Sequence, residues 1–386
     1  MTRETSSLRI AVVGPVYPYK GGITHYTGLL ARHLALTHEV QVFSFSLQYP
    51  RFIYPGEEQR DYADDSFKID GTRYLLNSVN PFTWLRTAAA ITRFAPDLVI
   101  IPWWNPFFGP AFATVALLSK LFSRAKVLFL IHNVLPHERL PFDRLITAFT
   151  LNRGDFYIAQ SCENEAALLE LLPDPVYRKA LLPTYSTSGP NDLSLEEARR
   201  ALKLPAGKKI MLFFGFVREY KGLIYLIEAL PAIREKLPDT MLLVVGDFHH
   251  DKEKYLQRIE ELGVGSMVEI RDGYIPDREV GGYFSAADLV VLPYESATQS
   301  GIVQIAFGAG RPVVVTSVGG LPEVVEDGRT GFVVPPKDVP ALAGAVVRFF
   351  EEGRGSEFSA AIEQERERFS WKRMAETIED LMRGHE

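Results

Sequence analysis

Short apolar runs alternate with amphipathic stretches along most of the chain, the pattern of a parallel sheet covered by helices. In the first half, runs at 8–13, 40–45, 98–102, 127–131 and 156–159 predict strands, and helical periodicity lies at 23–36, 82–94 and 163–172. The segment 49–70 is polar, aromatic and irregular, and predicts a long loop at the strand ends. Residues 182–191 are rich in Pro, Ser, Thr and Gly, which is linker composition. Ser194 with Glu197 three residues on then predicts a capping box opening a new helix. A second series follows, with strands predicted at 210–214, 241–245, 268–270, 289–292, 313–316 and 332–334. The chain therefore predicts two Rossmann-like α/β domains, 1–187 and 188–369. Open parallel sheets bind ligands at the carboxyl ends of their strands, so two facing halves would place a ligand in the cleft between them.

One stretch needs a membrane test. Residues 98–118 carry no charge, long enough to span a bilayer. Pro102, Pro106 and Pro110 interrupt it, and each would cost a helix hydrogen bond. The pattern predicts a buried strand, an aromatic loop at 103–109 and a helix at about 110–122. Trp103, Trp104, Phe107 and Phe108 in that loop either pack into the core or stay exposed to meet an apolar acceptor or a lipid surface. The apolar run 10–13 is too short for a signal peptide.

Composition narrows the class. Of 386 residues, 47% are hydrophobic and 23% charged, which excludes a disordered or fibrous chain. The net charge of −6 argues against nucleic-acid binding, although the front half is slightly basic and the acidity lies behind it. The single cysteine, Cys162, excludes an intrachain disulfide, and His249-His250 lack the further ligands a metal site needs. A cytoplasmic protein, with peripheral contact at the inner face of a membrane, fits these features.

The candidate chemistry sits in glycine-bounded turns after strands. Gly14-Pro15-Val16-Tyr17-Pro18-Tyr19-Lys20-Gly21-Gly22 follows the first strand and is not the dinucleotide fingerprint. Gly21 and Gly22 at a helix start allow close backbone approach to an anion; a plain turn is the alternative. Gly215-Phe216-Val217-Arg218-Glu219-Tyr220-Lys221-Gly222 occupies the same strand-to-helix position in the second series. Arg218 and Lys221 there suit a diphosphate, since Arg grips phosphate oxygens bidentately and Lys adds a point charge. Glu295-Ser296-Ala297-Thr298-Gln299-Ser300-Gly301 leads into another helix, with the Ser300 and Gly301 amides as anion donors. His132 ends the strand at 127–131, as a catalytic or a core histidine.

These runs, with 293–312 and the stretch Gly319-Gly320-Leu321-Pro322-Glu323 through Pro335, resemble retaining glycosyltransferases of family 4, which have the GT-B fold. The resemblance extends over nearly the whole chain and is strongest in the back half, where several motifs keep their order. It implies a nucleotide-sugar donor held mainly by the back domain and an acceptor held by the front domain. It also implies a final helix, about 371–382, returning to the front domain, which thereby includes 370–386. Two positions depart from the family pattern. Phe216 stands where Arg is usual, and Arg218 points the same way on an extended segment. The usual Glu-x7-Glu acids are replaced by Ala297 and Ile305, leaving Glu295, Gln299 and Gln304 as nearby polar groups.

The resemblance thus implies transfer of a sugar from a nucleoside diphosphate sugar to a hydroxyl acceptor, lipid-linked acceptors included, with no divalent metal or other cofactor. Arg218, Lys221 and His132 are the expected catalytic residues. Gly21, Gly22, Gly215, Glu295, Gln299, Ser300, Gly301 and Gln304 are expected at the donor, and Tyr17, Trp104 and Asn105 on the acceptor side. A nucleotide-sugar epimerase of the same fold, and a catalytically silent binder of sugar nucleotides, are the alternatives.

Overall fold

The computed structural model describes residues 7–51, 59–62, 65–136, 140–185, 193–248 and 251–384. The chain forms two compact units, Met1–Leu181 with Trp371–Glu386, and Leu182–Ser370. The expected division at 187/188 and the pair His249-His250 lie outside the described residues. Leu182 to Tyr185 go with the second unit, where the Thr184 amide donates to the Phe369 carbonyl at 2.9 Å.

The first unit is a seven-stranded parallel sheet. Its strands are β1 (Arg9–Val13), β2 (Glu39–Leu47), β3 (Arg73–Asn77), β4 (Leu98–Trp103), β5 (Lys126–Ile131), β6 (Phe156–Ala159) and β7 (Tyr177–Lys179), in the order β3-β2-β1-β4-β5-β6-β7. Helices α1 (Gly22–Leu34), α2 (Pro81–Phe94), α3 (Gly109–Ser123), α4 (Asp143–Leu151) and α5 (Cys162–Leu171) connect them. Central strands covered on both faces must be apolar throughout, and every residue of β4 is buried. The edge strands β3 and β7 are half exposed, so they carry no apolar run and the pattern did not reveal them.

The aromatic loop belongs to the core. Trp103 and Phe108 are fully buried, and Trp104 and Phe107 pack against the same cluster. Trp103 donates its indole N–H to the Val134 carbonyl and Trp104 donates to the Tyr49 hydroxyl. The prolines also do less than the sequence suggested. Pro106 opens a short 3-10 turn and Pro110 sits in the first turn of α3, positions where the missing N–H costs nothing. Helical backbone therefore runs on from Pro106 to Ser123. Among the described residues this is one helical stretch long and apolar enough to cross a membrane, and half of it is buried inside the unit.

The second unit is a six-stranded parallel sheet: β8 (Lys209–Phe214), β9 (Thr240–Gly246), β10 (Val268–Asp272), β11 (Leu289–Leu292), β12 (Val313–Thr316) and β13 (Gly331–Val334), ordered β10-β9-β8-β11-β12-β13. Its helices are α6 (Leu195–Ala201), α7 (Leu223–Lys236), α8 (Lys252–Glu261), α9 (Asp277–Ala286), α10 (Gly301–Gly308), α11 (Leu321–Val324), α12 (Val339–Glu351) and α13 (Gly355–Gln364). The Ser194–Glu197 capping box forms at the start of α6. The last helix, α14 (Trp371–Arg383), joins the first unit: Trp371 packs on Tyr26 of α1 with ring centroids 5.1 Å apart, and Glu379 pairs with the buried His38 at 3.3 Å.

This topology positions the candidate turns. In the first sheet the chain leaves β1 toward β2 and later resumes on its other side with β4; in the second, β8 is flanked in the same way by β9 and β11. The turns after β1 and β8 therefore lie at switch points, where open α/β sheets leave a crevice at the carboxyl ends of the strands.

Candidate active site

The turn after β8 is built by close backbone contacts. Gly215 has φ +104°, and a Cβ there would lie 3.1 Å from Lys221 Nζ and 3.5 Å from Ile302 Cδ1. Gly222 has φ +64°, and a Cβ would fall 2.0 Å from the Pro293 carbonyl oxygen. Both glycines are required, one by conformation and approach of a side chain, the other by approach of a backbone. The turn thus folds Lys221 back over Gly215, next to Ile302 in the first turn of α10, with Nζ 5.8 Å from the centre of the Tyr294 ring. Burial, with the Arg218 charge as a second cause, pulls the Lys221 ammonium down from its usual value to about 8. Arg218 is exposed in the same turn.

The loop from β11 to α10 completes this corner. The Glu295 amide donates to the Tyr220 carbonyl at 2.7 Å, and the Gly320 amide to the Thr298 carbonyl at 3.0 Å. Glu295 is held low in its titration, chiefly by Lys337 at 2.7 Å, against some opposing burial, with the Tyr225 hydroxyl donating to it at 2.9 Å. Ser300 stands at the N-cap position of α10 and Gly301 is its first residue, packed near Tyr185. One turn further, Gln304 is 1% exposed and its Oε1 has no hydrogen-bond partner among the described residues. An unsatisfied buried amide oxygen costs about 1–3 kcal/mol unless water or a ligand supplies the donor. Ala297 is buried and Gln299 lies partly exposed beside it.

In the front unit the corresponding turn is open. Gly21 has φ +111° and precedes α1, and Cβ atoms at Gly21 and Gly22 would meet nothing within 4 Å. One turn into α1, Tyr26 meets His132 edge to face, with centroids 4.6 Å apart. His132 follows β5 and its amide donates to the Trp103 carbonyl at 2.8 Å, while Asn164 Nδ2 donates to its carbonyl at 2.9 Å. The ring is buried, Nε2 has no hydrogen-bond partner among the described residues, and desolvation pulls the imidazole down to about 3. His132 is therefore a neutral imidazole at physiological pH.

Of the acceptor-side residues, Tyr17 donates to Asp65; burial first, then that hydrogen bond, hold its phenol above the ordinary range. Asn105 caps the turn at Pro106, accepting from the Phe107 amide at 2.9 Å. Trp104 packs on the core cluster. Tyr225, Lys337, Tyr294 and Tyr26 were not singled out from sequence, and only their contacts reveal them. Lys337 offered one signal, its place just after the strand at 331–334, on the ligand-binding side of the sheet.

Residues 208–352, from β8 into α12, match the family model described as "Glycosyl transferases group 1". The D-inositol 3-phosphate glycosyltransferase of Corynebacterium aurimucosum is 31% identical over 197 residues, 49% of this chain. That alignment spans about half the relative, 46% of its length. The GDP-mannose-dependent alpha-(1-6)-phosphatidylinositol monomannoside mannosyltransferase of Mycolicibacterium smegmatis is 28% identical across 85% of both chains. Among solved structures, Anabaena Alr3699/HepE in complex with UDP superposes with a TM-score of 0.73 at 18% identity, covering 98% of this chain and 100% of that one. The fold is GT-B, as in this solved structure, and the chain is similar to glycosyltransferases of this group. The match to the group 1 model lies within the back unit.

Proposed function

We propose that the chain is a retaining glycosyltransferase that moves a sugar from a nucleoside diphosphate sugar to a hydroxyl acceptor, in the synthesis of a glycan, polysaccharide or glycolipid. The observation that carries this reading is the turn after β8, where Lys221 lies over Gly215 at the head of α10 and Arg218 shares the loop. The names of the relatives support the reaction class, and the UDP bound to the Anabaena protein supports a nucleotide ligand.

The hard step is breaking the bond between the anomeric carbon and a diphosphate oxygen while negative charge builds on the leaving group. Lys221 and Arg218 stabilise that charge, and backbone amides at the start of α10 add donors. Desolvation strengthens this clamp, because a partly buried ammonium interacts with an anion in a lower effective dielectric than bulk water. The new bond forms from the acceptor oxygen to the same carbon and on the same face, and the acceptor proton passes to the departing diphosphate. His132, neutral, exchanges a hydrogen bond with a donor-sugar hydroxyl, and Gln304 Oε1 accepts from the donor. Two cations already balance the diphosphate, so this reading uses no divalent metal.

Incubation with a panel of nucleotide sugars and simple hydroxyl acceptors tests the reading. The expected result is release of one nucleoside diphosphate together with a glycoside of retained anomeric configuration, undiminished by EDTA. An epimerised nucleotide sugar, or inverted product, would overturn it.

A further inference from the structure

The front unit exposes large apolar side chains along one group of helices. From β3 the chain steps in one direction across the sheet through β4, β5, β6 and β7, so right-handed crossovers put α2, α3, α4 and α5 on the same face. The step from β1 to β2 runs the other way and puts α1 on the opposite face, where α14 packs. Much of the outward surface of α2–α4 is apolar. On α2 the apolar side chains there are Phe82 and Leu85, and on α3 Leu121 and Phe122, every one more than half exposed. On α4, Phe142 at the N-cap with Leu145 and Phe149 forms a stripe at i, i+3 and i+7, again more than half exposed. Most large apolar side chains exposed among the described residues lie between Val79 and Phe149. A concentration of this kind on a folded surface marks a contact with another apolar phase.

The charge on α2–α4 points to that phase, with the carboxylates Glu163 and Glu170 lying beyond them on α5. The three helices contain one carboxylate, Asp143, which is buried and accepts from the Leu140 amide. Their exposed charges are cationic: Arg86 and Arg93 on α2 and Arg144 on α4, with Arg124 at the end of α3. Arg144 is paired with Glu170 of α5, and Lys120 of α3 with Asp155. A second copy of this face would bring arginine against arginine, so self-pairing is disfavoured. An anionic surface with an apolar interior satisfies both features.

We infer that the α2–α4 face docks on a bilayer rich in anionic phospholipid, with its phenylalanine and leucine side chains entering the headgroup boundary and its arginines meeting lipid phosphates. The inner faces of all three helices hold the sheet, so the contact is peripheral, and α3 lies against the membrane rather than across it. This inference does not rest on the transferase reading; it assigns to these helices the membrane contact that the sequence suggested for the loop at 103–109.

Sedimentation of the full chain with vesicles is the test, comparing phosphatidylglycerol/phosphatidylcholine mixtures with phosphatidylcholine alone. The protein is expected to pellet with the anionic vesicles at low salt, and the bound fraction to fall at least about fivefold when salt is raised to roughly 0.5 M. Two variants, Leu121→Ser with Phe122→Ser and Phe142→Ser with Phe149→Ser, remove exposed carbon and keep the fold, checked by circular dichroism. Each is expected to abolish pelleting, whereas a folded Trp104→Ala, Phe107→Ala variant pellets like the wild type. A wild type that stays in the supernatant, a folded helix variant that binds undiminished, or loss of binding in the loop variant overturns the proposal. A wild-type dimer in sedimentation velocity that these substitutions dissociate, without vesicle binding, would instead make the face a self-interface.

Discussion

The turn after β1 and the turn after β8 are the same device in different settings. Each leaves a central strand at a switch point, contains paired or flanking glycines and opens a helix. After β8 the glycines are enclosed: Gly222 faces the Pro293 carbonyl and Gly215 lies under Lys221. After β1 a Cβ on Gly21 or Gly22 would meet nothing within 4 Å. A glycine in a packed turn is needed by the fold before any ligand arrives, so its loss says little about function. A glycine in an open turn has no such internal reason beyond the backbone angle at Gly21. Substitution there tests function almost without disturbing the fold.

The largest effect expected in this comparison belongs to the cations of the enclosed turn. Lys221→Ala and Arg218→Ala should each lower kcat by roughly 10²–10³-fold, the range for losing one charge-stabilising donor. Circular dichroism should show both variants folded. Steady-state kinetics with the released diphosphate as readout checks this, and near-normal turnover would remove the diphosphate clamp from the mechanism. Next comes Gly222→Ala, which introduces a left-handed alanine and a backbone clash together. A loss of about 2–4 kcal/mol follows from those two terms, measured by denaturant unfolding.

A pH effect separates the charge of Lys221 from its bulk. The free enzyme loses the ammonium near pH 8 instead of near its usual 10.5. The kcat/KM profile should therefore fall about tenfold per pH unit above 8, and that limb should vanish in Lys221→Ala. Stability has the opposite sign. Between about pH 8 and 10.5 the unfolded chain binds the proton that the folded one has released, so folding grows more favourable as pH rises. Below 8 the folded protein carries a desolvated charge at a cost. Lys221→Met, which removes the charge and keeps the stem, should raise Tm by a few degrees at pH 7 while lowering kcat by roughly the same 10²–10³-fold. An unchanged or lowered Tm would show that the lysine is not strained toward its anion.

How much of this was legible follows from what each part must satisfy. The central strands were readable because burial on both faces demands unbroken apolar runs, as at β4 and β9. The half-exposed edge strands β3 and β7 lacked that signature. Helix α4 was missed for a more informative reason: Phe142, Leu145 and Phe149 point outward, so its apolar stripe does not report a core. The aromatic loop failed in the converse way, its aromatics being core where sequence left open a surface. At the site, Arg218 and Lys221 were readable because a turn bounded by glycines after a strand has a known position on the sheet. The partners Tyr225 and Lys337 of Glu295 come from distant segments, and only folding brings them together.

The smallest structural disturbance gives the cleanest test. Gly22 opens α1, its φ is not in the left-handed region, and a Cβ there would meet nothing within 4 Å. Gly22→Val should therefore leave Tm within about 2 °C of the wild type, since the site is exposed and helical and neither strain nor overpacking arises. If the front turn serves as the resemblance implies, with its backbone against the donor phosphates, the isopropyl group occupies the space the phosphates need. Donor KM is then expected to rise about tenfold or more while the unfolding curve stays in place. Isothermal titration with the nucleoside diphosphate, run beside Gly222→Ala, gives the contrast: one variant loses affinity and keeps stability, the other loses stability first. Equal affinity for the diphosphate in wild type and Gly22→Val would leave the open turn as a turn and nothing more, and the donor phosphates would belong to the back unit alone.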